Sequence, residues 1–189
     1  MRLRADRTLV LVSESYLECP FRQAGTVTMN EFTHFDKDGA SRMVDVGAKS
    51  VTARMARAVA IVEMQVDTLQ RIRDRDFRKG DVLEVARLAG IMAAKQTADL
   101  IPLCHSLSLD SVTIDYQFPE PTRLRIEAEV AVTAKTGVEM EALVAASTTA
   151  LTVYDMCKAI DRAMVVRNLY LLEKKGGRSG DFVHPEHDS

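Results

Sequence analysis

Two stretches in the middle of the chain alternate apolar and polar positions. In the first, every second residue from Val112 to Phe118 is apolar, and in the second the same holds from Leu124 to Val132. Charged residues, Arg125, Glu127 and Glu129, fill three of the four intervening positions of the second stretch. This period of two is typical of half-buried β-strands. The segment Pro119–Thr122 lies between them and supplies turn residues, so the pattern predicts a β-hairpin.

Two other stretches carry apolar residues at helical spacing. Val82, Val85, Ala89 and Met92 follow Asp81, and Pro102 marks the far limit, which predicts a helix over 82–98. Asp81 is the predicted N-cap, with Glu84 three residues on as its reciprocal partner. A longer helix is predicted over 138–162. Its apolar side carries small and aliphatic residues, and its other side carries Glu141, Thr148, Thr152, Asp155 and Arg162, with Lys158 beside them.

The remaining patterns are shorter or ambiguous. Residues 42–46 and 165–172 predict strands. Residues 51–73 fit either a strand over 60–64 followed by a helix over 66–73, or a helix throughout. The order strand, helices, hairpin, helix, strand predicts an α+β fold with helices packed on one face of an antiparallel sheet. A ferredoxin-like arrangement fits this order best.

Length and composition place the chain among ordinary globular domains. Its 189 residues suit one domain over 30–182, with a poorly defined N-terminal extension over 1–29 and a polar tail over 183–189. The net charge of −2 demands neither a nucleic-acid nor a membrane partner. Cys19, Cys104 and Cys157 are widely spaced, which favours a reducing cytoplasm over a disulfide scaffold. The four histidines are too scattered to define a metal site, and we expect neither a metal nor another cofactor.

Asp155 and Lys158 are the first candidates for chemistry, because residues three apart on a helix meet. A carboxylate beside an amine holds the amine charged or positions it for proton transfer. An ordinary surface ion pair is the alternative. The mostly apolar composition of this helix suggests that the pair is buried, and a buried charge needs a reason. Lys79 stands before the predicted N-cap, where it would bind phosphate or transfer protons, or remain a solvated surface lysine.

Two further groups of polar residues have both functional and structural explanations. Cys104 and His105 are adjacent, so on an extended chain they point to opposite faces and do not activate each other. Glu139 and Glu141 flank Met140 at the start of the long helix. They either complement the helix dipole or accept N–H bonds from a guanine-like ring. The glycine-rich segment 176–180 lacks the spacing of a nucleotide-binding P-loop.

Six segments in a fixed order carry a more specific signal than any single motif. Together they resemble the cyclic pyranopterin monophosphate synthase family, also known as the molybdenum cofactor biosynthesis protein C family. The resemblance runs from about Asn30 to Phe182, with Ser106 where the family commonly has proline and Arg178 where it commonly has lysine. The segments are MVDV (43–46), KGD (79–81), DLIPLCH (99–105), KTGVEMEAL (135–143), ALTVYDMCK (150–158) and GGRSGD (176–181).

The resemblance implies a lyase that converts (8S)-3′,8-cyclo-7,8-dihydroguanosine 5′-triphosphate to cyclic pyranopterin monophosphate and releases diphosphate. It implies a ferredoxin-like subunit, a homohexamer built as a trimer of dimers, and active sites at subunit interfaces. By motif, Lys79, Asp155 and Lys158 match the catalytic residues. The segments Leu103–His105 and Glu139–Glu141, which include Cys104 and Met140, match substrate-binding residues.

Two other function classes fit parts of the pattern. A regulatory module that binds a nucleotide at an oligomer interface would share the fold, but it has no need for the pair of Asp155 and Lys158. A cyclohydrolase acting on GTP would usually need zinc, and the ligand spacing here is poor for zinc.

Overall fold

The computed structural model describes residues 40–76 and 80–185, and all of them belong to one compact unit. The predicted N-terminal extension and Lys79 lie outside the described residues. The elements, in chain order, are β1 (Thr52–Glu63), α1 (Val66–Arg73), α2 (Val82–Lys95), α3 (Thr97–Leu100), β2 (Ser111–Glu120), β3 (Arg123–Ala134), α4 (Glu139–Cys157), β4 (Val165–Lys175) and β5 (Phe182–Val183).

The five strands form one antiparallel sheet in the order β2-β3-β1-β4-β5. The first four strands and the helices between them give the ferredoxin-like α+β arrangement, so the predicted fold class is confirmed. The predicted hairpin is β2 and β3, in register from Ser111 opposite Ala131 to Gln117 opposite Arg125, with an irregularity before Glu120. The short strand β5 adds an edge beside β4, with Phe182 opposite Lys174.

The helices α2 and α4 pack against each other over the sheet. Gly90 lies where α2 meets α4, and a methyl group there would overlap the side chains of Thr149 and Ile114. The alanines of β1 that face α4 are fully buried, which lets the helix approach the sheet closely. The core therefore lies between one face of the sheet and the helix layer.

Contacts with β2 set the direction of α2. The Tyr116 hydroxyl donates to the carbonyl of Leu83 at 2.8 Å, and Arg87 donates to the carbonyl of Ile114. The start of α2 therefore lies over the end of β2, and α2 runs antiparallel to β2. Because α4 leaves the end of β3 and returns to the start of β4, it runs parallel to β2 and antiparallel to α2.

Several predicted boundaries were wrong. Residues 42–46 form no strand, since the Asp45 carboxylate accepts the N–H of Gly47 and turns the chain there. The predicted strand over 60–64 begins eight residues earlier, at Thr52, and the helix over 66–73 is confirmed. The helix predicted over 138–162 ends at Cys157. Strand β4 extends to Lys175, beyond the predicted end at 172.

Among the helices formed by residues 40–76 and 80–185, none is both long enough and apolar enough to cross a membrane.

Candidate active site

Asp155 and Lys158 form an ion pair at the C-terminal end of α4. The Lys158 ammonium donates to Asp155 Oδ1 at 2.5 Å. The suggestion that this pair is buried was wrong, because the two side chains are 65% and 54% exposed. The hydrogen bond and the negative charge of Asp155 raise the pKa of Lys158, so the amine stays protonated near neutral pH. Lys158 caps the C-terminus of α4, where the helix dipole also favours a cation.

The turn that follows Lys158 is held by a buried carboxylate that the sequence did not single out. Asp161 is only 2% exposed. Its two oxygens accept the N–H of Gln65 at 2.9 Å and the N–H of Ala163 at 3.1 Å. Asp161 therefore joins the end of α4 to the junction between β1 and α1, and it explains why the helix stops before the predicted residue 162.

Glu139, Met140 and Glu141 form the first turn of α4. Glu139 contacts the ammonium of Lys174 at 3.3 Å. Glu141 is buried, and burial followed by the charge of Glu139 raises its pKa above the ordinary carboxyl value. Two carboxylates at a helix N-terminus are stabilised by the helix dipole. The helix dipole does not explain why Glu141 is buried, because an exposed carboxylate would interact with the dipole too.

The segment Leu103–His105 lies near the same end of α4. Burial and the nearby negative charge of Glu141 raise the pKa of the Cys104 thiol, so it is a poor nucleophile. His105 Nε2 is 2.9 Å from the carbonyl oxygen of Val44. We call the six residues Leu103, Cys104, His105, Glu139, Met140 and Glu141 the amino-end group, after the end of α4 where Glu139–Glu141 lie. We call Asp155 and Lys158 the carboxyl-end group.

Cations that the sequence patterns missed surround the glycine-rich loop. Lys174 donates to Ser179 Oγ at 3.0 Å and reaches Glu139. Arg54 donates to the carbonyls of Ala134 and Lys135, both at 3.2 Å, and its guanidinium lies against Gly177. Lys174 lies in β4, beyond the predicted strand over 165–172, and Arg54 lies in β1. Only the pairing of β1 with β4 brings them together, and no sequence spacing reveals it.

The predicted N-cap of α2 is confirmed. Asp81 Oδ1 accepts the N–H groups of Leu83 at 3.0 Å and Glu84 at 3.3 Å. Glu84 pairs with Arg87. Since α2 and α4 are antiparallel, the start of α2 and the end of α4 lie toward the same end of the sheet. Lys79, two residues before Asp81, lies outside the described residues.

The two groups stand far apart within one chain. Glu139 and Asp155 are about 24 Å apart along the axis of α4, at 1.5 Å per residue. The structure thus brings the residues within each group together, but it does not bring the two groups together. Within residues 40–76 and 80–185, no cluster of three or more His, Cys, Asp or Glu side chains has the arrangement of a metal site.

Comparison with known proteins agrees with the sequence resemblance. The MoaC family model matches residues 43–177. A cyclic pyranopterin monophosphate synthase from Magnetococcus marinus is 58% identical over 161 residues, which cover 85% of this chain and 99% of that protein. Proteins of the same name from Desulfitobacterium hafniense and Heliobacterium modesticaldum are each 55% identical. They cover 83% and 84% of this chain, and 96% and 100% of their own lengths.

Proposed function

We propose that this chain, which belongs to the MoaC family, performs the reaction named by its relatives at a site made from the amino-end and carboxyl-end groups. Its activity is that of a cyclic pyranopterin monophosphate synthase, a lyase of molybdenum cofactor biosynthesis. The substrate is (8S)-3′,8-cyclo-7,8-dihydroguanosine 5′-triphosphate, and the products are cyclic pyranopterin monophosphate and diphosphate.

The roles that we assign to individual residues rest on the hydrogen bond between Lys158 and Asp155. Rearrangement of the purine opens and recloses rings, so protons must move on and off nitrogen and oxygen. A lysine held protonated and oriented by a carboxylate has a proton to donate, and it becomes a base after it has donated that proton. We assign Lys158 the acid–base role and Asp155 the role of orienting it. Lys79, at the entrance to α2, is a second acid–base group or a phosphate clamp.

The amino-end group is suited to hold the substrate. Glu139 and Glu141 offer carboxyl oxygens to the N–H groups of a guanine-derived ring. During phosphate cyclisation, a ribose oxygen bonds to the α-phosphorus while the bond to the leaving diphosphate breaks. Cations stabilise the charge that develops on the leaving group. Arg54 and Lys174, beside the glycine-rich loop, have this capacity, and Lys174 contacts Glu139.

The separation of the two groups supports a site shared between chains. A gap of about 24 Å along α4 is too long for one small substrate to contact both groups of one chain. We therefore propose that the carboxyl-end group of one copy serves the amino-end group of another, within a homohexamer built as a trimer of dimers. We further propose a cytoplasmic location, a catalytic domain over 30–182, an extension over 1–29 and a tail over 183–189.

Product analysis with purified protein tests these roles. The wild-type protein is expected to release diphosphate from the cyclised substrate and to form the cyclic phosphate product. Lys158→Ala is expected to lower kcat by a factor of about 10² to 10⁴, the usual contribution of a positioned acid–base group. Arg162→Ala, which removes another exposed cation four residues further on, is the matched control and should keep normal turnover.

Circular dichroism must show that Lys158→Ala retains the wild-type fold. Near-normal turnover of the folded Lys158→Ala protein would remove Lys158 from the mechanism. Failure of the wild-type protein to release diphosphate would favour a non-catalytic module that only binds a nucleotide.

A further inference from the structure

The chain turns at residues 158–164, between the end of α4 and the start of β4. Cys157, just before this turn, is fully buried, and Met164, at its end, is only 5% exposed. Lys158 and Ile160, between these two anchors, are exposed. The lysine to which we assign the acid–base role therefore lies on the solvent-exposed part of a turn whose two ends are held in the core.

Asp161 is the residue of this turn that carries a buried polar side chain. Its Oδ1 accepts the N–H of Ala163 within the turn, and its Oδ2 accepts the N–H of Gln65. Gln65 is the N-cap residue of α1, which is distant from the turn in sequence. Because each carboxylate oxygen makes one of these bonds, the side chain cannot rotate without losing both. Asp161 therefore fixes the turn relative to the sheet and α1.

Backbone hydrogen bonds link Asp161 to Lys158. The N–H groups of Ile160 and Asp161 both donate to the carbonyl of Cys157, at 2.9 and 3.1 Å. The N–H of Lys158 donates to the carbonyl of Tyr154 at 2.8 Å. The last carbonyls of a helix need partners beyond its end. If Asp161 lost its bonds, these partners would move and the backbone at Lys158 would become less ordered.

The other contacts at this end of α4 are too weak to fix the position of Lys158. The hydroxyl of Tyr154 lies 3.4 Å from the carbonyl oxygen of Arg162, which is long for a hydrogen bond. The pair of Asp155 and Lys158 is exposed, and exposed ion pairs contribute little to order. Lysine has a flexible stem of four carbons. An acid–base group must nevertheless stay within hydrogen-bond reach of its substrate, so its backbone has to be held elsewhere.

We propose that Asp161 is a positioning residue for the carboxyl-end group. It holds the backbone of the turn so that Lys158 and Asp155 keep the geometry that proton transfer requires. Asp161 itself exchanges no proton with the substrate. The inference rests on the proposed function, because Asp161 acts only through the acid–base role that we assign to Lys158.

Steady-state kinetics of Asp161→Asn give the first test. The amide has the size of the carboxylate, but its NH₂ group cannot accept an N–H, so one of the two bonds is lost. We expect kcat to fall by a factor of about 10 to 10², the usual effect of a small misplacement. KM should stay within about twofold of wild type, because the amino-end group, which we assign to substrate binding, is unchanged.

The matched control is Val59→Ala, which removes buried packing from β1 without touching the turn. Val59 lies about 20 Å along the chain from Gln65, at about 3.3 Å per residue. This variant should lose thermal stability and keep the wild-type kcat. An unchanged kcat in folded Asp161→Asn would overturn the proposal.

A double-mutant cycle separates positioning from a general loss of structure. In a Lys158→Ala background, Asp161→Asn should change the residual kcat by less than about twofold, because the group that it positions is gone. Long incubations with product analysis measure this residual rate. An equal fold loss in both backgrounds would mean that Asp161 does not act through Lys158, and it would overturn the proposal.

Circular dichroism must first show that the variants fold. If Asp161→Asn does not, Asp161→Ser replaces it in the same cycle, since a serine hydroxyl is too short to bridge both N–H groups. The two proposals fail in different ways. A wild-type protein that releases no diphosphate removes the proposed function. Wild-type turnover together with an equal loss in both backgrounds removes only the role of Asp161.

Discussion

The ammonium of Lys158 takes its raised pKa mainly from the carboxylate of Asp155, which accepts its hydrogen bond and lies beside it as a negative charge. Its protonated form is lost only as the pH rises through that raised value. Asp155→Asn removes the negative charge, so the pKa of Lys158 should fall toward the ordinary lysine value. If the protonated amine is the active form, the alkaline limb of the pH profile of kcat/KM moves to lower pH in Asp155→Asn.

The matched control for this shift is Glu84→Gln, which breaks a similar pair with Arg87 on α2. That variant should keep the wild-type pH profile. An alkaline limb that stays in place in Asp155→Asn would mean that another group sets it.

Glu141 is a carboxyl group whose pKa is raised by burial, so its neutral form is favoured, whereas Lys158 is held in its charged form. At a pH above the raised pKa, the folded state holds a buried charge and loses stability relative to the unfolded state. Below the ordinary carboxyl pKa, both states are protonated and this cost disappears. Glu141→Gln should therefore raise the Tm above neutral pH, with a gain that shrinks as the pH falls through the raised pKa.

The same substitution should raise KM, because an amide replaces an oxygen that we assign to the substrate's N–H groups. Thermal denaturation across pH and steady-state kinetics measure the two effects separately. A Tm gain that is the same at every pH would contradict the electrostatic origin of the effect.

The glycine-rich loop changes direction at glycines that other amino acids do not replace easily. Gly176 has φ of +86°, and a methyl group there would overlap the carbonyl oxygen of Ala53 in β1. Gly180 has φ of +74°, but a methyl group there would meet nothing within 4 Å. Gly176→Ala should cost more stability than Gly180→Ala, whose backbone strain alone is about 1 to 3 kcal/mol.

Because the loop lies beside Lys174 and Arg54, Gly176→Ala should also lower kcat/KM more than Gly180→Ala does. Urea denaturation and kinetics on both variants check this order. Equal losses would mean that the contact with β1 does not shape the loop.

The sequence predicted elements best where local pattern and tertiary packing agree. The hairpin β2–β3 has one buried and one solvated face, so its alternation was clear. The central strand β1 was ambiguous because alanines such as Ala56 and Ala58, which usually favour helices, line its helix-facing side. They are small because α4 packs close to the sheet, and a single sequence does not display that tertiary reason.

The same limit applies to the candidate site. Spacing on one helix predicted that Asp155 and Lys158 would meet, and they do. It did not predict their exposure, because the apolar composition of α4 reflects its burial on its other sides. Arg54 and Lys174 were missed because strand pairing alone joins them. The residue roles came from motif resemblance and stay predictions.

For the whole molecule, a shared site predicts that two different defects can complement each other. Lys158→Ala and His105→Ala disable opposite ends of α4, so each homogeneous variant should be inactive. After subunit exchange, half of the dimers should be mixed, and each should contain one intact site. Activity should therefore recover to about a quarter of the wild-type value.

Mass spectrometry of size-tagged subunits verifies the exchange, and a mixture of two Lys158→Ala preparations is the control. No recovery after verified exchange would place both groups of one site in a single chain, against the separation along α4.

The length of α4 sets the distance and the relative orientation of the amino-end and carboxyl-end groups. One residue inserted after Thr148 would rotate Asp155 and Lys158 by about 100° and shift them by 1.5 Å, while Glu139 and Glu141 stayed in place. Substitutions on the outward side of α4 would leave the spacing of the two groups unchanged. Insertions and deletions in this helix should therefore be tolerated far less than substitutions on its outward face.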